Sequence, residues 1–532
     1  MTIEGGAGAR RTSWALAAMS LLVLVAAMVV RGTGPTDLWD QTQPKTVSYT
    51  TDVIVHGDWV LPIERGTMPA TKPPLYNWIA APFVRVAGFA SEIAHKAPSL
   101  LALLASWAMI VALGQRLDRG PVRCLGWVAG LAFVSNYAIM KLGYLARPDM
   151  VLTACLVAAW IAGTSLIIDA GTGRESRLTR GRAAVLWLAL AAAWLTKGPA
   201  ALATIPALAL EARLVGGSWS AFHRTGWVWG VPLSIAPFLA WLGGAWLIDP
   251  EHVRTVLIFN EVVGRVTGLG PEGNELGPIG WLRDFPNLWF YYLVRFAPWS
   301  VPSIIAMVVL VIERRRRRAG IVVERDDEQR RWMVAGMTYV LAIIALFTLS
   351  TGKRSDYIVS AYAPGTLLAA WWLLDVHPRI GRRLAWLAPA IAIGVIATIG
   401  GIAADDPPSP RPDLSSHMRS FIAASTEAIH DAPAPVEVWN AGASHVQAML
   451  GLSEPDGRDG VEARIRAGET FWVLGALGDD AGGVLVRHAR RWNPDVRVRR
   501  VVAVPPLGDL ARTEWPDELG LYRVEPASIG AP

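Results

Sequence analysis

Charge is scarce in this chain. Only 18% of its 532 residues are Asp, Glu, Lys or Arg, where a soluble globular protein carries about 25%. Cysteine is scarcer still. Cys124 and Cys155 are the only two, which implies neither a disulfide framework nor a cysteine metal cluster. The nine histidines are scattered without metal-ligand spacing. The sequence has no G-x-x-x-x-G-K-[ST], no H-E-x-x-H and no G-x-S-x-G. "GLGPEG" at 268–273 matches G-x-G-x-x-G letter for letter, but no strand pattern precedes it, so it is not a nucleotide fingerprint. Nucleotide hydrolysis and zinc proteolysis therefore have no support.

What the chain has in abundance is apolar residues, 52% of the total, gathered in blocks. Spanning a bilayer takes roughly 20 mainly apolar residues. On that measure the sequence predicts eleven spans, at 13–30, 97–113, 124–140, 150–168, 183–196, 198–211, 226–248, 288–312, 332–350, 357–375 and 384–403. The pair at 183–211 is short and divided by Lys197-Gly-Pro, which suggests half-embedded or strongly tilted segments. The first run lacks an A-x-A-like cleavage site and reads as a retained anchor rather than a signal peptide. The net charge of +6 sits in short loops: Arg116, Arg119 and Arg123; Arg174, Arg177, Arg180 and Arg182; Arg314 to Arg318; Arg379, Arg382 and Arg383. This is the positive-inside pattern of a membrane protein rather than a nucleic-acid surface. Alternation from a cytoplasmic Arg10-Arg11 puts all these loops on one side, and 31–96, 141–149, 249–287 and 351–356 on the other. A multi-pass membrane protein with a cytoplasmic N-terminus follows as the expectation.

Beyond Ala404 the texture changes. "DDPPSPRPD" reads as a linker. "VEVWNA", "TFWVLGAL", "VRVRRVVAV" and "LGLYRV" read as strands, and "SSHMRSFIAASTEAIH" and "GGVLVRHARRW" as amphipathic helices. The expected architecture is a polytopic α-helical membrane domain over 1–403, with interfacial helices in its first external loop. A small external α/β domain over 404–532 follows it.

The predicted external loops gather ionisable residues on one membrane face: Asp40, Lys45 and Lys72; Arg147 and Asp149; Lys197; Glu261 and Arg265; Lys353, Arg354 and Tyr357. Each has an ordinary reading. Asp149 suits a helix N-terminus, and Lys353 and Arg354 suit snorkelling flanks. Glu261 and Arg265, four apart, suit a surface ion pair, and "TKPP" suits a turn into a helix. Taken together, cations on the face opposite the charge bias call for an anionic partner, and a lipid-linked phosphate is one.

Those motifs carry a resemblance. "GDWVLP…TKPPLYNWI" at 57–79 resembles the first external loop of bacterial polyprenyl-phosphate-sugar transferases. These are the aminoarabinose-to-lipid-A transferases and their protein-mannosyltransferase relatives, within the membrane-embedded C superfamily of glycosyltransferases. "LARPDMVLTACL", "WLTKGPAAL", "FNEVVGRVTG" and "STGKRSDYIVSAYAPGTLLA" resemble later family segments, in family order, over roughly 30–375. The chain departs from the family where an acidic pair, D-E-x-R-Y, is usual: it reads Thr42-Gln43-Pro44-Lys45-Thr46. Asp40 is the nearest carboxylate that could take over.

The resemblance implies inverting transfer of a sugar from a polyprenyl phosphate to lipid A, another glycolipid or protein. Lys72, Arg265, Lys353 and Arg354 are then candidates for the donor phosphate. Asp40 and Asp149 are candidates for the base, with Lys45, Arg147, Lys197, Glu261 and Tyr357 in support. The sequence makes no cofactor certain: two carboxylates could bind a divalent metal ion or act without one. Two other readings stay open. One is an inactive relative that binds glycan, favoured by the lost acidic pair. The other is a transporter or flippase, whose sites lie nearer the midplane on broken helices.

Overall fold

A computed structural model describes residues 4–33, 38, 42–64, 68–118, 124–174, 178–264, 284–319, 327–349, 353–376, 390, 394, 397, 411–441, 444–453, 457–477, 483–503 and 519–527. The chain is mainly helical. Its first 248 residues carry α1 (Glu4–Thr33), α2 (Gln43–Val55), α3 (Leu75–Ala87), α4 (Glu92–Leu117), α5 (Leu125–Val134), α6 (Tyr137–Leu142), α7 (Asp149–Thr172), α8 (Thr179–Lys197), α9 (Thr204–Leu214) and α10 (Trp227–Ile248). A π-helical segment, Val253–Gly264, follows, then α11 (Asn287–Arg295), α12 (Ser300–Arg318), α13 (Asp327–Thr348) and α14 (Tyr362–Trp371).

Among the described residues, six helical stretches are long and apolar enough to cross a membrane. The number becomes seven if α11 and α12, bent by 116° at their junction, make one span. The protein is thus a multi-pass membrane protein. The sequence-based count was eleven: the apolar helix Trp14–Ala26 falls short of a span, and the pair expected at 183–196 and 198–211 makes one stretch, Thr179–Leu214. The span expected at 124–140 is broken into α5 and α6, because Asn136 ends one helix and caps the next by accepting the Ile139 amide at 3.0 Å. The span expected at 384–403 lies outside the described residues apart from 390, 394 and 397.

Thr179–Leu214 is continuous in hydropathy but reverses direction at Lys197-Gly-Pro. The end of α8 meets the start of α7 through Lys197 and Asp149. Glu211, late in α9, instead accepts hydrogen bonds from Trp160 and Thr164 deep in α7, and Gly216 packs on Gly171 near the end of α7. Gly198 makes the reversal, with φ +59° and ψ −132°, a backbone that disfavours side chains carrying a Cβ. Pro199 then starts the following 3₁₀ turn. Lipid exposure is plain on α10, where Trp229 is 81% and Leu247 85% exposed.

The C-terminal part forms a four-stranded mixed sheet in the order β3 (Val436–Val438), β4 (Phe471–Ala476), β6 (Leu519–Pro526), β5 (Val496–Ala503). A two-residue ribbon of β1 (Ile63–Glu64) and β2 (Met68–Pro69) lies in the first loop. Along β4 the side chains alternate between two cores. Phe471 and Val473 join Tyr522 and Val524, while Trp472 and Leu474 join Phe421 and Ile422. That second core also takes in Leu38, Val47 and Ala146 from the membrane part. Polar ties reinforce the seam. Thr51 donates to the Ala448 carbonyl at 3.0 Å, Ser453 donates to Asp52 Oδ1 at 2.7 Å, and Arg419 pairs with Glu92 at 2.9 Å. The expected domain boundary near 404 lies outside the described residues.

Candidate active site

Local chain geometry delivers each cation to one place. Ahead of Lys72, the Ala70 amide donates to the Pro62 carbonyl at 2.8 Å, and the Ala70 carbonyl meets His252 Nε2 at 3.0 Å. Behind it, Pro74 occupies the N-cap of α3. The two prolines fix the backbone that carries the lysine. The loop of Arg147 is pinned from two sides. Ser99 donates to the carbonyls of Leu145 and Arg147 at 2.6 and 3.1 Å, and Gln43 Oε1 accepts the Ala146 amide at 2.8 Å. Lys197 is placed by the end of α8 at Gly198.

At the centre is Asp149, buried at the first turn of α7. Its Oδ1 lies 2.5 Å from Lys197 Nζ and its Oδ2 lies 3.0 Å from Arg147 Nε. Arg147 extends the chain of charges to Asp356, 2.9 Å from its Nη2. Lys197 Nζ lies 5.2 Å from the centre of the Tyr357 ring, within the range of a cation–π contact. Charges this buried persist only when paired, and here each carboxylate holds a cation in position.

Two cavities meet beside this network. One, of about 410 Å³, is bounded mainly by apolar residues such as Phe238, Trp241, Leu257 and Leu349, with Lys197 and Tyr357 at its wall. Leu349 is 65% exposed, so this cavity reaches the protein surface. The other, of about 170 Å³, is polar, with Thr42, Lys45, Tyr49, Asn77 and Arg354 in its wall. Thr71, Lys72, Pro73 and Glu261 line both. Burial, with Lys197 nearby, lowers the Lys72 ammonium to about 8, against the pull of Asp149. Burial raises the Tyr49 phenol above its ordinary value, and Glu64 adds to the rise.

The structure therefore gathers Lys45, Lys72, Arg147, Asp149, Lys197, Glu261, Arg354 and Tyr357 in one region. Lys353 lines neither cavity. Burial lowers its ammonium below the ordinary value while Asp284 opposes the shift. Asp40 and Arg265 lie outside the described residues. Sequence reasoning passed over Asn77 in the polar wall and Asp356 as the second partner of Arg147, and named Thr42, also in that wall, only as a departure from the family pattern. The position of Asp356 in "KRSDY" was a weak signal, since no local pattern pairs it with a residue 209 positions earlier.

A metal could be sought at Asp52, His56 and Asp58, whose ligand atoms all lie within 4.8 Å of one another. Asp52 is already committed there. Its Oδ1 takes Ser453 and faces His56 Nδ1 at 2.9 Å, and its Oδ2 accepts the Ile63 amide at 2.7 Å. An ion there would replace the His56–Asp52 contact, while the Ser453 and Ile63 bonds already make Asp52 a brace between loop and C-terminal part.

No family model matches the sequence. Among solved structures, ArnT from Cupriavidus metallidurans bound to undecaprenyl phosphate superimposes with a TM-score of 0.59 at 15% identity, over 98% of this chain and 99% of that one. ArnT from the same organism in the apo state gives 0.57 at 14%, with the same coverage. The archaeal oligosaccharyltransferase AglB from Archaeoglobus fulgidus, in complex with an inhibitory peptide and a dolichol-phosphate, is a looser likeness. Its TM-score is 0.44 at 10% identity, over 92% of this chain and 70% of that one. The protein therefore has the fold seen in ArnT, over nearly the whole of both chains.

Proposed function

We propose that the protein transfers a sugar from a polyprenyl-phosphate donor to a cell-envelope acceptor. One observation carries this reading: an apolar cavity that reaches the surface and a polar cavity share Lys72 in their walls. A lipid phosphate fits there with its tail in the first space, its phosphate at the lysine and its sugar in the second. The ArnT structure that holds undecaprenyl phosphate supports the same class of lipid. The site lies at the end of α7 opposite the arginine-rich loops, which supports an external, periplasmic site in a bacterial inner membrane with a cytoplasmic N-terminus. The C-terminal unit over 404–532 then lies externally, on the first loop.

In this scheme an acceptor oxygen attacks the anomeric carbon of the donor and the carbon–oxygen bond to phosphate breaks. The bonding pair leaves on the phosphate, and the sugar configuration inverts. Charge grows on phosphate, so neutralisation outweighs protonation. Lys72 is the principal partner, with Lys45 and Arg354 on the polar side, and with Arg265 and Lys353 as further candidates. A hydroxyl acceptor also needs a base. Asp40 and Asp149 were the candidates from sequence. Both Asp149 oxygens face cations, which suits it to positioning Lys197 and Arg147. Glu261, which lines both cavities, is then the carboxylate in the right place to orient an acceptor.

A second reading has its own support. Thr42 faces the polar cavity where the family places an acid, and Gln43 braces the Ala146 amide. A relative that binds the lipid without transfer would look like this. The deciding experiment measures polyprenyl-phosphate release by the wild type and by Lys72→Ala from a panel of polyprenyl-phosphate sugars, with envelope extract as acceptor. Release by the wild type that is lost in the variant supports the transferase. Binding without release favours the second reading.

A further inference from the structure

A third cavity, of about 590 Å³, lies at the other end of the helices. It is lined by Arg314, Arg315, Arg317 and Arg318 from the end of α12 and by Arg330 and Arg331 from the start of α13. The opposite wall is the turn Val215-Gly216-Gly217, which sits so close to α7 that a Cβ on Gly171 would come within 2.8 Å of Gly216 Cα. The helical rise from Asp149 to Gly171 puts this end about 33 Å from the sugar site. It is a separate place from the site described above.

The ordinary reading is a positive-inside loop whose arginines extend into water. Three features go beyond it. The arginines come from two helices and converge on one concavity. Among the described lining residues the basic ones outnumber the acidic: Asp327 pairs with Arg317 at 3.3 Å, Arg330 lies 3.8 Å from Glu313, and Arg331 donates to the Val215 carbonyl at 3.3 Å. Finally, the cavity has an apolar side, formed by Leu310, Val311, Val334 and Met337, and Val311 is 42% exposed on the lipid-facing surface of α12. Guanidinium forks match phosphate oxygens in pairs. A basic pocket between spanning helices with an apolar flank is built for a charged head with acyl chains.

We propose that this cavity binds the phosphate head of an anionic phospholipid from the leaflet opposite the sugar site, with its acyl chains against Val311 and Val334. The test uses the full-length purified protein in neutral detergent. Its thermal midpoint and its retained lipid in native mass spectrometry are read with added phosphatidylglycerol, phosphatidylcholine or inorganic phosphate. The variants are Arg317→Gln, Arg331→Gln, the triple variant Arg317→Gln/Arg330→Gln/Arg331→Gln, and Arg316→Gln, whose arginine does not line the cavity.

Phosphatidylglycerol should stabilise the wild type and Arg316→Gln, while phosphatidylcholine should not. Each single cavity variant should bind the anionic lipid about fivefold more weakly and the triple variant more than about 100-fold, from the usual worth of one arginine near an anionic surface. Equal loss in Arg316→Gln, or no loss in the triple variant, would reduce the effect to general surface charge and overturn the proposal. Stabilisation by inorganic phosphate matching that by the lipid would overturn the lipid assignment in favour of a small-anion site. Baseline midpoints in phosphatidylcholine identify any variant that fails to fold, and the single variants then carry the test.

Discussion

Lys72 has to be charged to hold a phosphate, yet its surroundings bring it down to about 8. Donor affinity should therefore fall as pH rises through about 8 rather than near the ordinary lysine value. The free enzyme carries the opposite linkage. The folded state releases this proton before the unfolded chain does, so stability should rise between about 8 and the unfolded lysine value of about 10.4. Measuring the donor KM and the unfolding midpoint from pH 6.5 to 9.5 checks both signs together. A KM flat across pH 8 would mean that Lys72 stays charged there, against the lowered value. Asp149→Asn offers a different residue-scale test. Removing one partner from a buried ion pair typically costs about 3–5 kcal/mol. The variant should lose that much stability together with transfer, whereas Glu261→Gln should keep its fold and lose turnover. Glu261→Gln with wild-type kcat would remove Glu261 from the mechanism.

At the scale of elements, the reversal at Gly198 decides where Lys197 ends up. A Cβ there would meet only Phe238, at 3.6 Å or beyond, so space is not the obstacle. The positive φ is, and it should cost Gly198→Ala about 1–2 kcal/mol. The expected result is a modest loss of stability with a larger loss of kcat/KM, roughly tenfold or more if Lys197 moves by about 1 Å. Unchanged kinetics would mean that Lys197 is held by Asp149 alone. Element-scale reading of the sequence was strong wherever one face of a segment decides its fate. Among the described residues, the long apolar runs became helices and the four β-like segments became four strands, because period and length need no knowledge of neighbours. It was weak at the break between α5 and α6, where Asn136 interrupts an unbroken apolar run.

For the whole molecule, the contact between the C-terminal part and the first loop is the feature with consequences. Leu38, Val47 and Ala146 are buried in the same core as Phe421 and Leu474, and Ala146 immediately precedes Arg147 in the site loop. A chain ending before Arg411 should expose that face of α2 and loosen the Arg147 loop. The measurable outcome is donor binding at least about tenfold weaker, with greater protease sensitivity between α1 and α3. Full donor affinity in such a chain would show that the membrane part builds the site unaided. Ser453→Ala tests the seam more gently, since it leaves Asp52 one hydrogen bond short at a buried position. About 1–3 kcal/mol is expected there, read as a lower unfolding midpoint.

The sequence by itself determined the membrane class, the helical framework and the set of cations facing one way, because hydropathy and charge bias act locally and additively along the chain. The pairing of Arg147 with Asp356, the burial of Asp149 between two cations, and the meeting of two cavities at Lys72 were settled only by tertiary structure. So was the fate of the two residues standing where the acidic pair is usual: Gln43 turned inward to brace a loop, and Thr42 faced the cavity. Ion pairs and cavities join residues that are near in space and far apart in the chain. Their geometry depends on how helices pack, which no local period encodes.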